Sequence, residues 1–300
     1  MSRAGGGSVR RHREVRGWLF VAPYLAYVAT FFLFPMVWSL LLAWTDWNLI
    51  SPVKQWVGLE NFIKAVQSPQ VHAAFVNTYR LMAVFVPVAL AWSLGLALLL
   101  DRMPRGSAFF SVGYFLPYLA SGVAVALVVR GIVAYNSPVN AALRQRLDLD
   151  IAWLQDPILA LVIIALLIAW KFSGYFGLIL LAGLRGISRD LYDAAALDGA
   201  TGWKRFRFVT LPMLYPAVSS VLILAIALTF GVFTEPYILT KGGPDLATHT
   251  WHLEIYNQAF TSFRAGFASA VAVLSALATF ATIGLVRLAL QRWGNRYDPA

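Results

Sequence analysis

The chain has 300 residues, 59% hydrophobic and only 13% charged, whereas an ordinary soluble domain has about a quarter of its residues charged. That balance excludes a solvated globular domain and makes the bilayer the natural solvent. The formal charge of +10 comes without a basic stripe interleaved with exposed aromatics, which argues against nucleic acid as a partner, and the absence of cysteine excludes disulfides, thiolate metal ligands and cysteine nucleophiles.

A membrane-crossing helix needs about 20 mostly apolar residues to traverse about 30 Å of hydrocarbon, and six stretches meet that length. Residues 1–16, with Gly5, Gly6, Gly7 and five arginines, read as a disordered basic tail beside anionic lipid. The first span lies within 17–45. Its apolar run is too long for a signal peptide and is followed by no small-residue cleavage pattern. The second span covers 81–100 and the third 108–129, and none of these three cores holds a charge. Pro35, Pro87 and Pro117 fall in or near spans and predict kinks there. The fourth span covers 157–184 and contains Lys171; the fifth covers 211–234 and the sixth 265–286. In the sixth, Ala268, Ala272 and Ala276 at four-residue spacing, with Ser269 and Ser275 nearby, predict a face for close helix packing. Residues 17–290 thus form one all-α membrane domain of six helices, and 291–300 a short tail. No repeat of fixed period is visible.

Orientation follows from Lys and Arg placement, because positive charge accumulates on the cytoplasmic side. An even number of crossings puts both termini on one face, and that face holds 15 of the 24 basic residues. Eight lie in the opposite loops and span mouths, and Lys171 is the remaining one. Both termini are therefore expected in the cytoplasm and the loop over 46–79 outside.

The chemistry of an enzyme is missing from the pattern. Neither G-x-S-x-G nor H-E-x-x-H occurs, and the stretch Gly199 to Lys204 only faintly echoes a phosphate-binding loop, with no Ser or Thr after the lysine. His249 and His252 stand three apart in an outer loop with no zinc-type spacing of further ligands, and read as surface histidines. The spans contain no Asp or Glu apart from Glu235 just beyond the outer end of the fifth, which argues against a proton- or sodium-coupled carrier.

The informative segment is the cytoplasmic loop over 185–208. Ser188 is placed to cap a helix, Asp190 lies in its first turn where the dipole favours an anion, and Gly199 stands where it must stop. Leu191, Ala194, Ala195 and Asp198 share one side of that short helix, a small-residue face that another protein's groove can approach. Trp203 and Phe206 carry the chain back toward the fifth span. From the residues alone, an interfacial helix lying at the headgroups is an equal alternative.

At these residues the sequence resembles the inner-membrane permease subunits of binding-protein-dependent ABC importers, whose cytoplasmic loop reads Glu-Ala-Ala, three residues, then Gly. The matching positions are Ala194, Ala195 and Gly199, extending through Asp198, Ala200, Trp203, Phe206 and Leu211-Pro212, with Asp193 where the family has Glu. Further segments, Gly58-Leu59-Glu60-Asn61-Phe62, Phe115-Leu116-Pro117, Leu239 to Pro244 and Gly266 to Ala270, are similar to the first permease subunit of the carbohydrate branch, with Lys241 in place of a glycine. The resemblance implies a second, different permease subunit, two copies of a cytoplasmic ATPase that holds ATP and Mg, an extracytoplasmic solute-binding protein, no cofactor in this chain, and a place in a bacterial or archaeal cytoplasmic membrane. It implies ATPase coupling through Asp193, Ala194, Ala195, Asp198, Gly199 and Trp203. It also implies a solute path along Lys171, Gly174 and Tyr175 before the loop and Phe230, Thr234 and Glu235 after it, for a sugar, polyol or related solute. Another small solute such as a polyamine, or a membrane assembly role without transport, is the alternative reading.

Overall fold

The computed structural model describes residues 6–51, 53–103 and 105–294, with side chains described between 17 and 292. The outer ends of both tails, 1–5 and 295–300, lie outside the described residues. Helix α1 (Gly6–Val28) begins inside the segment expected to be a disordered arm, continues through a π-helical turn at Ala29–Leu33, and passes into α2 (Phe34–Leu42). Pro35 sits at the start of α2, where its missing N–H follows the π turn instead of breaking a regular helix. A two-residue pairing of β1 (Thr45–Asp46) with β2 (Gln55–Trp56) and the short α3 (Glu60–Gln67) lead to α4 (Pro69–Asp101).

The second crossing is longer than its apolar run. Its helix starts twelve residues before the expected boundary, because Ser68 caps it through its Oγ and Pro69 favours a helix start, so much of the expected outer loop is helical. Pro87 removes one backbone donor, yet α4 continues through it as a single helix.

The third crossing is not the single helix expected over 108–129. It divides into α5 (Ser107–Leu119) and α6 (Gly122–Val133), followed by α7 (Pro138–Leu147). Pro117 lies three residues before the break, and residues 120–121 take extended backbone there. The next helix, α8 (Pro157–Arg185), is capped by Asp156, whose Oδ1 accepts from the Ile158 and Leu159 amides. It runs antiparallel to the α5–α6 pair, from the Arg185–Ser107 hydrogen bond at one end to Trp153 beside Tyr135 at the other.

After α8 come α9 (Arg189–Leu197), α10 (Gly202–Arg205), a π-helical turn at Phe206–Thr210, α11 (Leu211–Met213) and α12 (Tyr215–Phe230). The chain bends by 68° between the stretch Gly202–Met213 and α12, where Pro212 and Pro216 each remove a backbone donor. The fifth crossing ends at Phe230, four residues short of the expected boundary, and Thr234 and Glu235 belong to a separate helix, α13 (Thr234–Leu239). Then α14 (Trp251–Tyr256), a π turn at Asn257–Thr261 and α15 (Ala265–Gly294) complete the chain. Among the described residues five helices are long and apolar enough to cross a membrane, and six when the bent pair counts as one.

The centre is α4 packed along α8. Between lipid and protein there is little hydrophobic gain, so tight contact supplies the attraction, and small residues permit it. Ala89, Ala97, Ala165 and Ala169 are fully buried, and a Cβ at Gly177 would stand 3.5 Å from the Ser93 carbonyl oxygen. Phe85, Phe176, Ile164, Ile168 and Leu180 fill the space around them. By contrast residues 17–28 of α1 and most of α2 bury almost nothing against the chain, and Trp18, Phe20 and Phe31 are exposed.

Two sequence expectations change here. The packed stripe of α15 is Ala268, Val271, Ser275 and Thr282, while Ala272 is half-buried and Ala276 exposed. Four-residue spacing drifts by about 40° per step on a 3.6-residue helix, so the alanine series leaves the contact face. His249 is not a surface residue: it is 3% exposed, its Nε2 lies 2.6 Å from Glu254 Oε2, and Glu254 Oε1 accepts from Gln258 at 2.8 Å. The carboxylate five residues on escaped an argument confined to metal spacing. Among the described residues no three potential ligands cluster for a metal.

Candidate functional site

The family-like segments outside the loop turn out to be joints. Asn61 is buried, and its Nδ2 donates to the carbonyls of Ala43 at 3.0 Å and Thr45 at 2.9 Å, satisfying the C-terminal end of α2. At the same corner a Cβ on Gly266 would lie 1.8 Å from the Thr45 carbonyl oxygen, so only glycine lets α15 start there. Lys241 adopts φ +52°, the left-handed region where a side chain is disfavoured by roughly 1 kcal/mol. A glycine at this position would carry no such penalty.

The loop over 185–208 is built as its residues dictate. Ser188 Oγ accepts from the Asp190 amide at 3.3 Å, starting α9, and Asp190 sits in the first turn. The end is a Schellman closure: the Ala200 amide donates to Ala195 O at 2.8 Å and the Gly199 amide to Ala196 O at 3.1 Å, with Gly199 at φ +74°. The faces divide differently from expectation. Ala195 turns inward and is 8% exposed, with Tyr192 one turn earlier also half-buried, its hydroxyl 3.4 Å from Thr210 Oγ1 and its ring under the Arg205 guanidinium at 5.5 Å. Asp193, Ala194 and Asp198 are exposed, and Leu197 is 91% exposed. Trp203 is exposed too and stacks on Phe206 at 5.2 Å. The anchor formed by Tyr192 and Arg205 was missed because its partners lie in different helices. Aromatic and cation spacing within one helix does not reveal it.

Further along α8 from this loop, three of the six expected path residues converge. Lys171 Nζ on α8 lies 4.0 Å from Glu235 Oε1 on α13, with the two side chains 12% and 11% exposed. The start of α6 closes on them: a Cβ at Gly122 would stand 3.0 Å from Lys171 Nζ, 3.4 Å from Thr234 Cγ2 and 3.7 Å from Glu235 Oε1. Gly122 was not among the expected residues, and only the break after Pro117 brings it there. Tyr175, one turn along α8, stacks face to face on Tyr118 with centroids 4.7 Å apart, and Phe172 meets the same ring edge-on at 5.4 Å. The remaining two are held elsewhere. A Cβ at Gly174 would lie 1.8 Å from the Tyr114 carbonyl oxygen, so this glycine is the crossing point of α8 and α5. Phe230 is 2% exposed, packs edge-on against Tyr79 at 5.7 Å, and its carbonyl oxygen lies 2.6 Å from His252 Nδ1.

An ion pair buried in a membrane domain is costly to desolvate and offsets that cost only partly. Its chemical capacity is two-sided: an ammonium that donates and a carboxylate that accepts, beside stacked phenol rings with apolar faces. Such a surface suits a hydroxylated solute.

Residues 104–295, more than half of the chain and including both regions, match the family described as binding-protein-dependent transport system inner membrane component. The chain belongs to that family. The lactose transport system permease protein LacF of Rhizobium radiobacter is 34% identical to this permease over 266 residues, 87% of this chain and 88% of LacF. The diacetylchitobiose uptake system permease protein NgcF of Streptomyces coelicolor is 30% identical over 95% of this chain and 86% of its own. The permease shares its fold with a chain of a bacterial ABC transporter involved in the import of the acidic polysaccharide alginate, at TM-score 0.80 and 23% identity, covering 94% of this chain and 99% of that one.

Proposed function

We propose that this permease forms half of the translocation path of an ATP-driven importer for a sugar or sugar-like solute, with α9 as the element that a cytoplasmic ATPase engages. The observation that carries the proposal is the construction of α9: a capped helix anchored inward by Ala195 and Tyr192, presenting Asp193, Ala194, Asp198 and Leu197 outward. A helix resting on anionic headgroups would turn basic residues toward them, whereas the exposed face of α9 sets Leu197 between two carboxylates, Asp193 and Asp198, a combination suited to a protein groove. ATP and Mg belong to two copies of the ATPase, a second permease subunit covers the apolar face of α1 and α2, and an extracytoplasmic binding protein delivers the solute. The sugar class follows from the carbohydrate names of the relatives and from the pairing of hydrogen-bonding charge with stacked tyrosines. Purifying the permease with its genomic neighbours tests the core of this reading: an ATPase that co-purifies and whose binding is lost when Leu197 is changed to Asp supports it, and unchanged association removes α9 from the interface.

The path assignment makes a separate prediction. Lys171→Leu leaves the Glu235 carboxylate buried without its partner, which costs about 3–5 kcal/mol, so both transport and the yield of folded protein are expected to fall. Lys171→Leu combined with Glu235→Leu removes both charges, and yield is expected to recover while uptake of the cognate sugar does not. Tyr175→Ala is expected to lower uptake with yield intact. Recovery of uptake in the double variant would reduce the pair to a structural contact.

Both termini are assigned to the cytoplasm from the charge asymmetry. Gln67→Cys, exposed at the end of α3, is expected to react with a membrane-impermeant thiol reagent in intact cells. Ser2→Cys, outside the described residues, is expected to react only after permeabilisation. The opposite pattern inverts the topology.

A further inference from the structure

Behind the inward side of α9 lies a cavity that neither the outward face of the loop nor the Lys171–Glu235 pair uses. It has a volume of about 650 Å³ and opens at the end of the molecule where α4 and α8 finish, between those helix ends and the α9–α10 segment. Its lining is divided by chemistry. Leu98, Leu184, Ile187 and Phe206 make an apolar wall, and the hydroxyls of Tyr192 and Thr210 meet beside it. Arg102, Arg185, Arg189 and Arg205 stand around it against a single carboxylate, Asp101.

The charges are unequal in their engagements. Arg185 is committed, its Nε 4.0 Å from Asp101 Oδ1 and its Nη2 donating to Ser107 Oγ at 3.1 Å. Arg205 lies over the Tyr192 ring, a contact that orients the guanidinium without neutralising it. Among the described residues no carboxylate stands within ion-pair distance of Arg102, Arg189 or Arg205. Three uncompensated guanidiniums around one cavity repel one another, and a planar fork of donors fits phosphate oxygens in bidentate fashion. The apolar wall at the ends of two membrane-crossing helices adds a surface for acyl or glycerol carbons at headgroup depth.

We propose that this cavity binds the phosphate group of an anionic ligand, held by Arg102, Arg189 and Arg205, with Tyr192 and Thr210 as hydroxyl donors. The bearer is either an anionic phospholipid of the cytoplasmic leaflet or a soluble phosphate compound, and the same chemistry serves both. Because Tyr192 also anchors α9, occupancy of the cavity would tie the coupling helix to the membrane surface or to a cytoplasmic phosphate pool.

The test uses the transporter complex purified in mild detergent and equilibrated with mixed micelles of phosphatidylglycerol and phosphatidylcholine, then repurified and its retained lipid quantified by mass spectrometry. Arg102→Gln with Arg189→Gln is compared with a charge-matched control, Lys204→Gln with Arg207→Gln, whose residues lie outside the cavity. Phosphatidylglycerol is expected to be enriched over phosphatidylcholine in the wild type and the control, and to fall by about tenfold in the cavity variant. A parallel arm adds excess inorganic phosphate as the competing probe. Enrichment that survives phosphate assigns the site to a lipid headgroup. Loss of enrichment in the wild type, together with retention of radiolabelled phosphate that the cavity variant lacks, assigns it to a soluble phosphate. Equal lipid and phosphate retention by the cavity and control variants overturns the proposal.

Discussion

Replacing Gly199 by valine is expected to leave the permease in the membrane at near-normal abundance while abolishing ATP-coupled uptake. Gly199 closes the end of α9 at φ +74°, and a Cβ there would touch nothing within 4 Å. The penalty is therefore purely one of backbone conformation, about 1 kcal/mol for alanine and more for a β-branched residue. That is too little to unfold a membrane domain whose spans insert through their own apolar length. It is enough to open the two hydrogen bonds from Gly199 and Ala200 that end the helix, and with them the direction of the segment carrying Trp203. Gly199→Ala is expected to give an intermediate loss, and Gly199→Asn, which tolerates the left-handed region, to retain most activity. Membrane abundance, ATPase co-purification and solute-stimulated ATP hydrolysis are the measurements. Full coupling in the valine variant would mean that the turn does not set the ATPase contact.

Gly174→Ala is expected to have the opposite signature, a loss of the folded protein itself. A methyl group at this position would sit 1.8 Å from the Tyr114 carbonyl oxygen, a backbone atom that cannot rotate away, so α5 and α8 must separate. Overpacking of this kind costs about 1–3 kcal/mol and occasionally more, and the separation also disturbs the Tyr118–Tyr175 stack one turn away. Gly177→Ala is the internal comparison, because its added methyl meets Ser93 at an ordinary 3.5 Å. Thermal unfolding in detergent, followed by the loss of monodisperse protein, is expected to show a clearly lower midpoint for Gly174→Ala and little change for Gly177→Ala. Equal midpoints would restore Gly174 to the solute path, where the resemblance had placed it.

These two glycines mark where sequence reasoning reached and where it stopped. Gly199 was legible because everything that defines it lies within twelve residues: Ser188 at one end, Asp190 in the first turn, and the glycine at the stop. Gly174 was not, since the atom it must avoid belongs to residue 114, and nothing in the apolar run of the fourth span distinguishes a contact glycine from a pore glycine. The same holds for Ala195, assigned to the outward face by its spacing from Leu191 but turned inward because Tyr192 and Arg205 fix the roll of the helix. His249 looked like a loop histidine until the chain folded Glu254 beneath it.

What the amino-acid order determined by itself is the set of properties that arise from short-range chemistry. Apolar length dictates which stretches leave water, and capping residues delimit α9, because each depends on hydrogen bonds or transfer energies within a few turns. Tertiary structure decided the rest. It broke the third crossing at residues 120–121, stopped the fifth at Phe230, and so carried Gly122, Thr234 and Glu235 to one lysine. It also gathered arginines from four separate segments around one cavity. Lipid offers helices no hydrophobic reason to prefer one face over another, so which faces meet is settled by close packing and by the few polar groups that must find each other across the bundle.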